Sequence, residues 1–292
     1  MGISELVVGL TVVAFGTSTP ELVISLISAL KGTSELAIGN VVGSNIFNIC
    51  GIIGIVAMIK PMKVSETIMN KEIPLVFLSS LVLLIMGNGP LLDSAPAMTL
   101  TRVDGLLLML FFVLFMRHTL SEAKTGKPAE SGEPEAGAKP PMKTVKAIIF
   151  VLAGLAGLIF GGDIFVDGAT GIAKVLGVSD AVIALTIVAI GTSLPELAVS
   201  ITAAIKGKPE LALGNVIGSN IFNIFLVLGA SATIFPLSFG AIGNVDLLTL
   251  LLASALFWVF SRFFKIRTIT RVEGSLLLLV YILYTVWLIA NA

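Results

Sequence analysis

The chain has 292 residues, 56% of them hydrophobic and 12% charged, with 18 basic and 18 acidic side chains. A mean hydropathy of +1.06 lies far from that of a soluble domain and excludes a soluble enzyme or a nucleic-acid binder. The single cysteine, Cys50, excludes a disulfide framework and reads as a small packing residue.

Taken in chain order, apolar runs predict helices at about 3–30, 35–58, 72–88, 97–117, 145–174, 178–205, 210–235, 244–262 and 270–290. Each comes near the roughly 20 residues that cross about 30 Å of hydrocarbon as a helix. The expected fold is an all-α polytopic membrane protein with nine transmembrane helices. The only long polar stretch, 118–144, is rich in Glu, Lys, Pro and Gly. It reads as a solvated linker between a first half, 1–117, and a second, 145–292, and it carries no partner motif. With that linker cytoplasmic and the helices alternating, fifteen Lys and Arg residues fall on the cytoplasmic side. Three, Lys31, Arg102 and Lys174, fall on the other. Such a bias predicts a multi-pass protein of the cell membrane, plasma or inner, with the linker inside.

Residues 2–51 align without a gap on residues 177–226, and thirty of the fifty pairs are identical. The first copy reads GLTVVAFGTSTPEL and GNVVGSNIFN; the second reads ALTIVAIGTSLPEL and GNVIGSNIFN. A later pair, TRVDG at 101–105 and TRVEG at 270–274, looks like one helix start used in each half. Helix alternation makes the copy that carries Glu21 run outward and the copy that carries Glu196 run inward. Similar units of opposite orientation mark inverted-repeat transporters, which bind substrate near the midplane.

A carboxylate at mid-bilayer costs about 2.5–3.5 kcal/mol on insertion scales, so Glu21 and Glu196 are expected to face a protein interior. Thr17 lies four residues before Glu21, and Ala14 three before Thr17, which puts all three on one helical stripe. Pro20 interrupts helix hydrogen bonding near Gly16 and Thr17, so a freed carbonyl, that of Ala14 by this reading, can turn to an ion. Ala189, Thr192, Pro195 and Glu196 repeat the arrangement. Asn40, Ser44 and Asn48, like Asn215, Ser219 and Asn223, form a second stripe, with Gly39, Gly43, Gly214 and Gly218 allowing close helix approach. Every candidate ligand is an oxygen, which suits hard cations such as Ca²⁺ and Na⁺ and argues against zinc or copper. Two carboxylates balance one divalent or two monovalent ions.

These words closely resemble the two alpha-repeats of the calcium/cation antiporter superfamily, above all its prokaryotic sodium/calcium exchanger-like branch. The resemblance covers both repeats and, through the helix pattern, nearly the whole chain. It implies a ten-helix inverted-repeat exchanger fold in which two long helices slide against a compact core. Helix 145–174 would be the second slider; the counterpart of the first would precede Gly2, and its loss through a misassigned start or fragment is expected. By position, the family's calcium site falls on Glu21, Glu196, Thr17 and Thr192. Its sodium sites fall on Glu21, Ala189, Thr192 and Ser219, and on Glu196, Ala14, Thr17 and Ser44. Asn48 and Asn223 fill the central positions. Some members carry an aspartate where Asn223 stands, so this chain keeps two central carboxylates.

The resemblance implies a secondary transporter that exports Ca²⁺ against entering Na⁺, without a cofactor, an enzymatic activity or an obligatory protein partner. Three sodium ions entering per calcium would sustain a calcium gradient of several decades. A proton/calcium antiporter would use the same two glutamates, and a channel the same oxygens. An intramembrane hydrolase built on Ser18 or Ser193 lacks a base, since the one histidine, His118, sits at a helix end beside the linker. Asp163 and Asp167, four apart on one helix, either line a water-filled entry path or sit solvated at the interface.

Overall fold

In lipid every backbone polar group must be bonded within the chain, so apolar runs of this length fold as helices. The structure, a computed structural model, describes residues 4–92, 94–125, 144–263 and 267–291. Two bent pairs are the twins of the duplication. Glu5–Thr17 (α1) and Thr19–Leu30 (α2) meet at 44°, and Asp180–Thr192 (α7) and Leu194–Ile205 (α8) meet at 45°. Between and after them run Ser34–Ile59 (α3), Ile68–Gly87 (α4), Arg102–Thr125 (α5), Thr144–Val175 (α6), Pro209–Ile234 (α9), Asn244–Phe263 (α10) and Arg271–Ala290 (α11). Among the described residues there are seven spans by length and composition, or nine with each bent pair counted as one. Nine is the number read from the sequence, and the chain is an all-α multi-pass membrane protein.

Each bend has a local cause. Pro20 and Pro195 stand in the first turn of α2 and α8, where a missing N–H costs nothing. Ser18 and Ser193 leave helical geometry, with ψ of 6° and 7°. Helix boundaries differ from expectation at two places. α4 begins at Ile68, four residues early, through a π-helical turn over Ile68–Glu72. α5 begins at Arg102 because Thr99–Leu100 is extended, and it runs on to Thr125, into the stretch assigned to the linker. Residues 126–143 of that linker lie outside the described residues. Asp104 Oδ2 accepts from Thr101 N at 2.8 Å and Thr101 Oγ1 at 2.7 Å, and Glu273 caps Thr270 in the same manner. The shared TRVDG and TRVEG words are thus two N-terminal caps.

Four two-residue strands, which the sequence reading did not foresee, also obey the duplication. Met62–Lys63 (β1) pairs antiparallel with Thr268–Ile269 (β4), and Thr99–Leu100 (β2) with Leu237–Ser238 (β3). β1 precedes α4 as β3 precedes α10, and β2 precedes α5 as β4 precedes α11. Each clip therefore joins the two halves, and the two clips are each other's twin.

The core sits between α3 and α9, whose most apolar windows are 83% and 89% buried, against 22% for α5 and 11% for α6. α5 and α6 turn Leu106, Leu110, Val113, Phe160 and Ile164 outward, as lipid-facing helices do. Each repeat's second helix packs on the other repeat's bent helix. A side-chain carbon added at Gly218 of α9 would lie 2.6 Å from Ala14 Cβ and 2.9 Å from Leu10 O. One added at Gly43 of α3 would meet Ala189 Cβ at 2.7 Å. The glycines remove bulk where the backbones cross.

Candidate cation site

That crossing brings the repeated words together. Glu21, Glu196, Ala14, Ala189, Ser44, Ser219, Asn48 and Asn223 are fully buried, and Thr17 and Thr192 nearly so. Serines beside the bends tie each of Glu21 and Glu196 to the other copy. All ten residues expected at the site thus lie buried on the bent helices and their α3 and α9 partners.

The hydrogen bonds run between the repeats. Ser193 Oγ donates to Glu21 Oε1 at 3.2 Å, and Ser18 Oγ donates to Glu196 Oε1 at 3.1 Å. Thr17 Oγ1 donates to Asn215 Oδ1 at 3.1 Å, and Thr192 Oγ1 to Asn40 Oδ1 at 3.1 Å. The two asparagines return within their own halves, donating to the main-chain oxygens of Glu196 at 3.2 Å and Glu21 at 3.4 Å. Glu21 and Glu196 are therefore each held by groups from both copies.

What remains unbonded defines the chemistry. Among the described residues, Glu21 Oε2, Glu196 Oε2, Asn223 Oδ1 and both polar atoms of Asn48 are buried without a hydrogen-bond partner. A buried carboxylate oxygen left alone is costly, and a cation satisfies it. No group of three His, Cys, Asp or Glu residues with metal-holding geometry exists among the described residues. Such a set of carboxylate, amide and hydroxyl oxygens suits a hard, oxygen-seeking ion.

Two details depart from expectation. Ala14 O keeps its helical bond from Ser18 N at 2.9 Å, and Ala189 O keeps that from Ser193 N at 3.2 Å. Proline does not free these carbonyls: Pro20 lacks the N–H that would serve Gly16, four residues back. Hydroxyls also reach the same oxygens, Thr17 Oγ1 at 3.4 Å from Ala14 O and Thr192 Oγ1 at 3.3 Å from Ala189 O. The serines also take the opposite sides from the expected grouping. Ser44 donates to Ala189 O at 3.2 Å and lies 3.3 Å from Thr192 Oγ1, whereas Ser219 donates to Glu196 Oε1 at 3.1 Å and lies 3.5 Å from Thr17 Oγ1. The exchange follows from packing, because α3 lies on α7 and α9 on α1. Asp163 lines a narrow crevice with Pro20, Thr192 and Pro195. Asp167 is exposed on the same helix.

Sequence reasoning passed over Ser18, Ser193, Asn45 and Asn220 as site residues, although both copies keep them. Asn223 Nδ2 donates to Asn45 Oδ1 at 3.0 Å, and Asn45 Nδ2 to Asn220 O at 3.1 Å. π-helical turns over Phe47–Ile52 and Phe222–Leu228 carry Asn48 and Asn223. Such turns recur at functional sites and leave no sequence signal.

Comparison with known proteins decides the family. Residues 1–120 and 146–290 match the family described as "Sodium/calcium exchanger protein". The chain belongs to the sodium/calcium exchanger family. Within it, the putative antiporter CaxA of Alkalimonas amylolytica is 41% identical over 97% of this chain and 88% of its own length. Sodium/calcium exchanger MaX1 of Methanosarcina acetivorans is 32% identical over 98% of this chain and 89% of its own. A crystal structure of the sodium-calcium exchanger NCX_Mj soaked with Na⁺ and Ca²⁺ superposes with a TM-score of 0.78, at 33% identity. That match covers 98% of this chain and 87% of the other. The inverted-repeat exchanger fold is therefore common to this chain and a solved exchanger.

Proposed function

We propose that this protein is a sodium/calcium antiporter that exports Ca²⁺ by alternating access to one midplane site. The observation that carries the reading is the pair of buried, unbonded carboxylate oxygens, Glu21 Oε2 and Glu196 Oε2, one from each inverted repeat. In each glutamate a serine of the opposite repeat occupies Oε1. The remaining oxygens are left for the ion, with Thr17, Thr192, Asn48 and Asn223 around them. Two negative charges balance one Ca²⁺ or two Na⁺, so one ion type displaces the other without leaving a bare charge in the membrane. The ion also bridges the repeats, so its arrival and departure bear on how the halves fit together. Alternating access needs such a link.

The flanking oxygens sort by packing: Ala189, Thr192 and Ser44 stand beside Glu21, and Ala14, Thr17 and Ser219 beside Glu196. We assign the sodium ions to these two clusters. The halves 1–117 and 145–292 serve as the two repeat units, and the linker 118–144 lies on the cytoplasmic side of the cell membrane, where the Lys and Arg excess falls.

Glu21→Gln and Glu196→Gln test the reading. Each keeps size and hydrogen bonding but removes one of two charges. Sodium-gradient-driven ⁴⁵Ca²⁺ uptake into proteoliposomes is expected to fall to background in both variants. Retained exchange in both removes the site assignment. Uptake that ignores the sodium gradient and collapses with a proton ionophore removes the sodium coupling.

A further inference from the structure

The central asparagines are twins in sequence but not in bonding. Asn45, Asn220 and Asn223 are all buried. Asn45 Nδ2 donates to the main-chain oxygen of Asn220 at 3.1 Å, and Asn223 Nδ2 donates to Asn45 Oδ1 at 3.0 Å. A main-chain carbonyl only accepts, so it fixes the Asn45 amide with nitrogen toward Asn220 and oxygen toward Asn223. That oxygen also only accepts, so Asn223 must give it a nitrogen. The Asn223 Oδ1 is thereby turned away from Asn45, and it has no partner among the described residues.

In the other half the same residues make no such relay. Asn220 Nδ2 donates to Val216 O at 3.1 Å within its own helix, and among the described residues its Oδ1 has no partner. Among the same residues Asn48, the twin of Asn223, has neither amide atom bonded. Strict symmetry would have tied Asn48 to Asn220 as Asn223 is tied to Asn45. One central amide is locked and the other is free.

We propose that Asn45 is a positioning residue that holds Asn223 oxygen-first toward the transported cation. An unrestrained amide presents either its oxygen or its positively polarised NH₂, and the second orientation repels a cation. The relay Asn220 O, Asn45, Asn223 removes that orientation and lets a neutral side chain act as a dependable oxygen ligand. This inference rests on the calcium reading above.

A double-mutant cycle on the full chain tests it, with half-saturating Ca²⁺ read from the calcium-dependent rise in thermal unfolding temperature in detergent. The four proteins are wild type, Asn45→Ala, Asn223→Asp and the double variant; Asn45→Leu replaces Asn45→Ala if the latter does not fold. A carboxylate at 223 has two equivalent oxygens and needs no orienting. Asn45→Ala is therefore expected to raise half-saturating Ca²⁺ by about tenfold in the native background and by less than about threefold beside Asn223→Asp. A residue that only packs α3 against α9 would cost the same factor in both, and equal factors overturn the proposal. Loss of the calcium response in Asn223→Asp alone also overturns it, since position 223 would then supply something other than an inward oxygen. A wild-type chain that shows no calcium response removes the calcium reading itself, a result distinct from equal factors in a responsive protein.

Discussion

Ser193→Ala and Ser18→Ala are twin substitutions in the sequence, and the structure expects them to differ. Ser193 Oγ donates to Glu21 Oε1 at 3.2 Å, the one serine donor to that atom among the described residues. Glu196 Oε1 takes two, Ser18 at 3.1 Å and Ser219 at 3.1 Å. These bonds fall on Oε1 and leave Oε2 to the ion, so their effect on affinity is to order the carboxylate. Releasing a Glu side chain from one rotamer costs about 1.5 kcal/mol of conformational freedom when the ion must reorder it. That corresponds to about tenfold in half-saturating Ca²⁺ for Ser193→Ala. After Ser18→Ala, Ser219 still holds Glu196, and the expected change is below about threefold. Sodium-gradient-driven ⁴⁵Ca²⁺ uptake into proteoliposomes over a range of Ca²⁺ concentrations measures both. Equal shifts, or a larger one for Ser18→Ala, would refute the claim that these hydroxyls act by aiming the carboxylates.

Two further expectations concern the scaffold. Gly218→Ala places a methyl 2.6 Å from Ala14 Cβ and 2.9 Å from Leu10 O, whereas a methyl at Gly154 meets nothing within 4 Å. The first is expected to destabilise by about 1–3 kcal/mol and the second to be neutral or slightly stabilising, as melting temperatures in detergent will show. Tyr284 donates its hydroxyl to Asp246 Oδ1 at 2.8 Å, and Asp246 Oδ2 accepts from Gly243 N at 2.8 Å. Tyr284→Phe unties α11 from α10, at a cost of about 1–3 kcal/mol, on helices that carry none of the site residues. A lowered melting temperature with normal flux is the expected pair of results, and altered ion dependence would show that this contact reaches the site.

Much of the architecture was legible because lipid imposes hard constraints on sequence. A span needs an apolar run of set length, so the nine runs could be counted. Glu21 and Glu196 stood out because a carboxylate in such a run is expensive, and Pro20 and Pro195 announced the bends beside them. Terms set by long-range packing were not legible. Ser44 and Ser219 could not be assigned to sides without knowing that α3 lies on α7 and α9 on α1. Ser18 and Ser193 each follow a threonine in their word, and nothing local says that they cross to the opposite glutamate. Their one sequence signal is retention in both copies, which Asn45 and Asn220 share. The two-residue clips at Met62–Lys63 and Thr99–Leu100 are too short for alternation to reveal.

The differences between twins bear on mechanism because they cannot come from local sequence. Between Gly39–Ile49 and Gly214–Ile224 only Val42 and Ile217 differ. Yet Ser44 bonds a main-chain carbonyl while Ser219 bonds a carboxylate, and Asn45 accepts from Asn223 while Asn220 accepts nothing at its side chain. Under the antiport reading this asymmetry is a requirement. An exact twofold axis in the membrane plane would relate the two faces of the site, so a perfectly symmetric molecule would open to both sides or to neither. One-sided access needs the halves to adopt two arrangements of one sequence, and their near-identity keeps the two arrangements close in energy. The residues at which the halves disagree, Ser44 with Ser219, Asn45 with Asn220 and Asn48 with Asn223, are then the contacts whose roles exchange when access does.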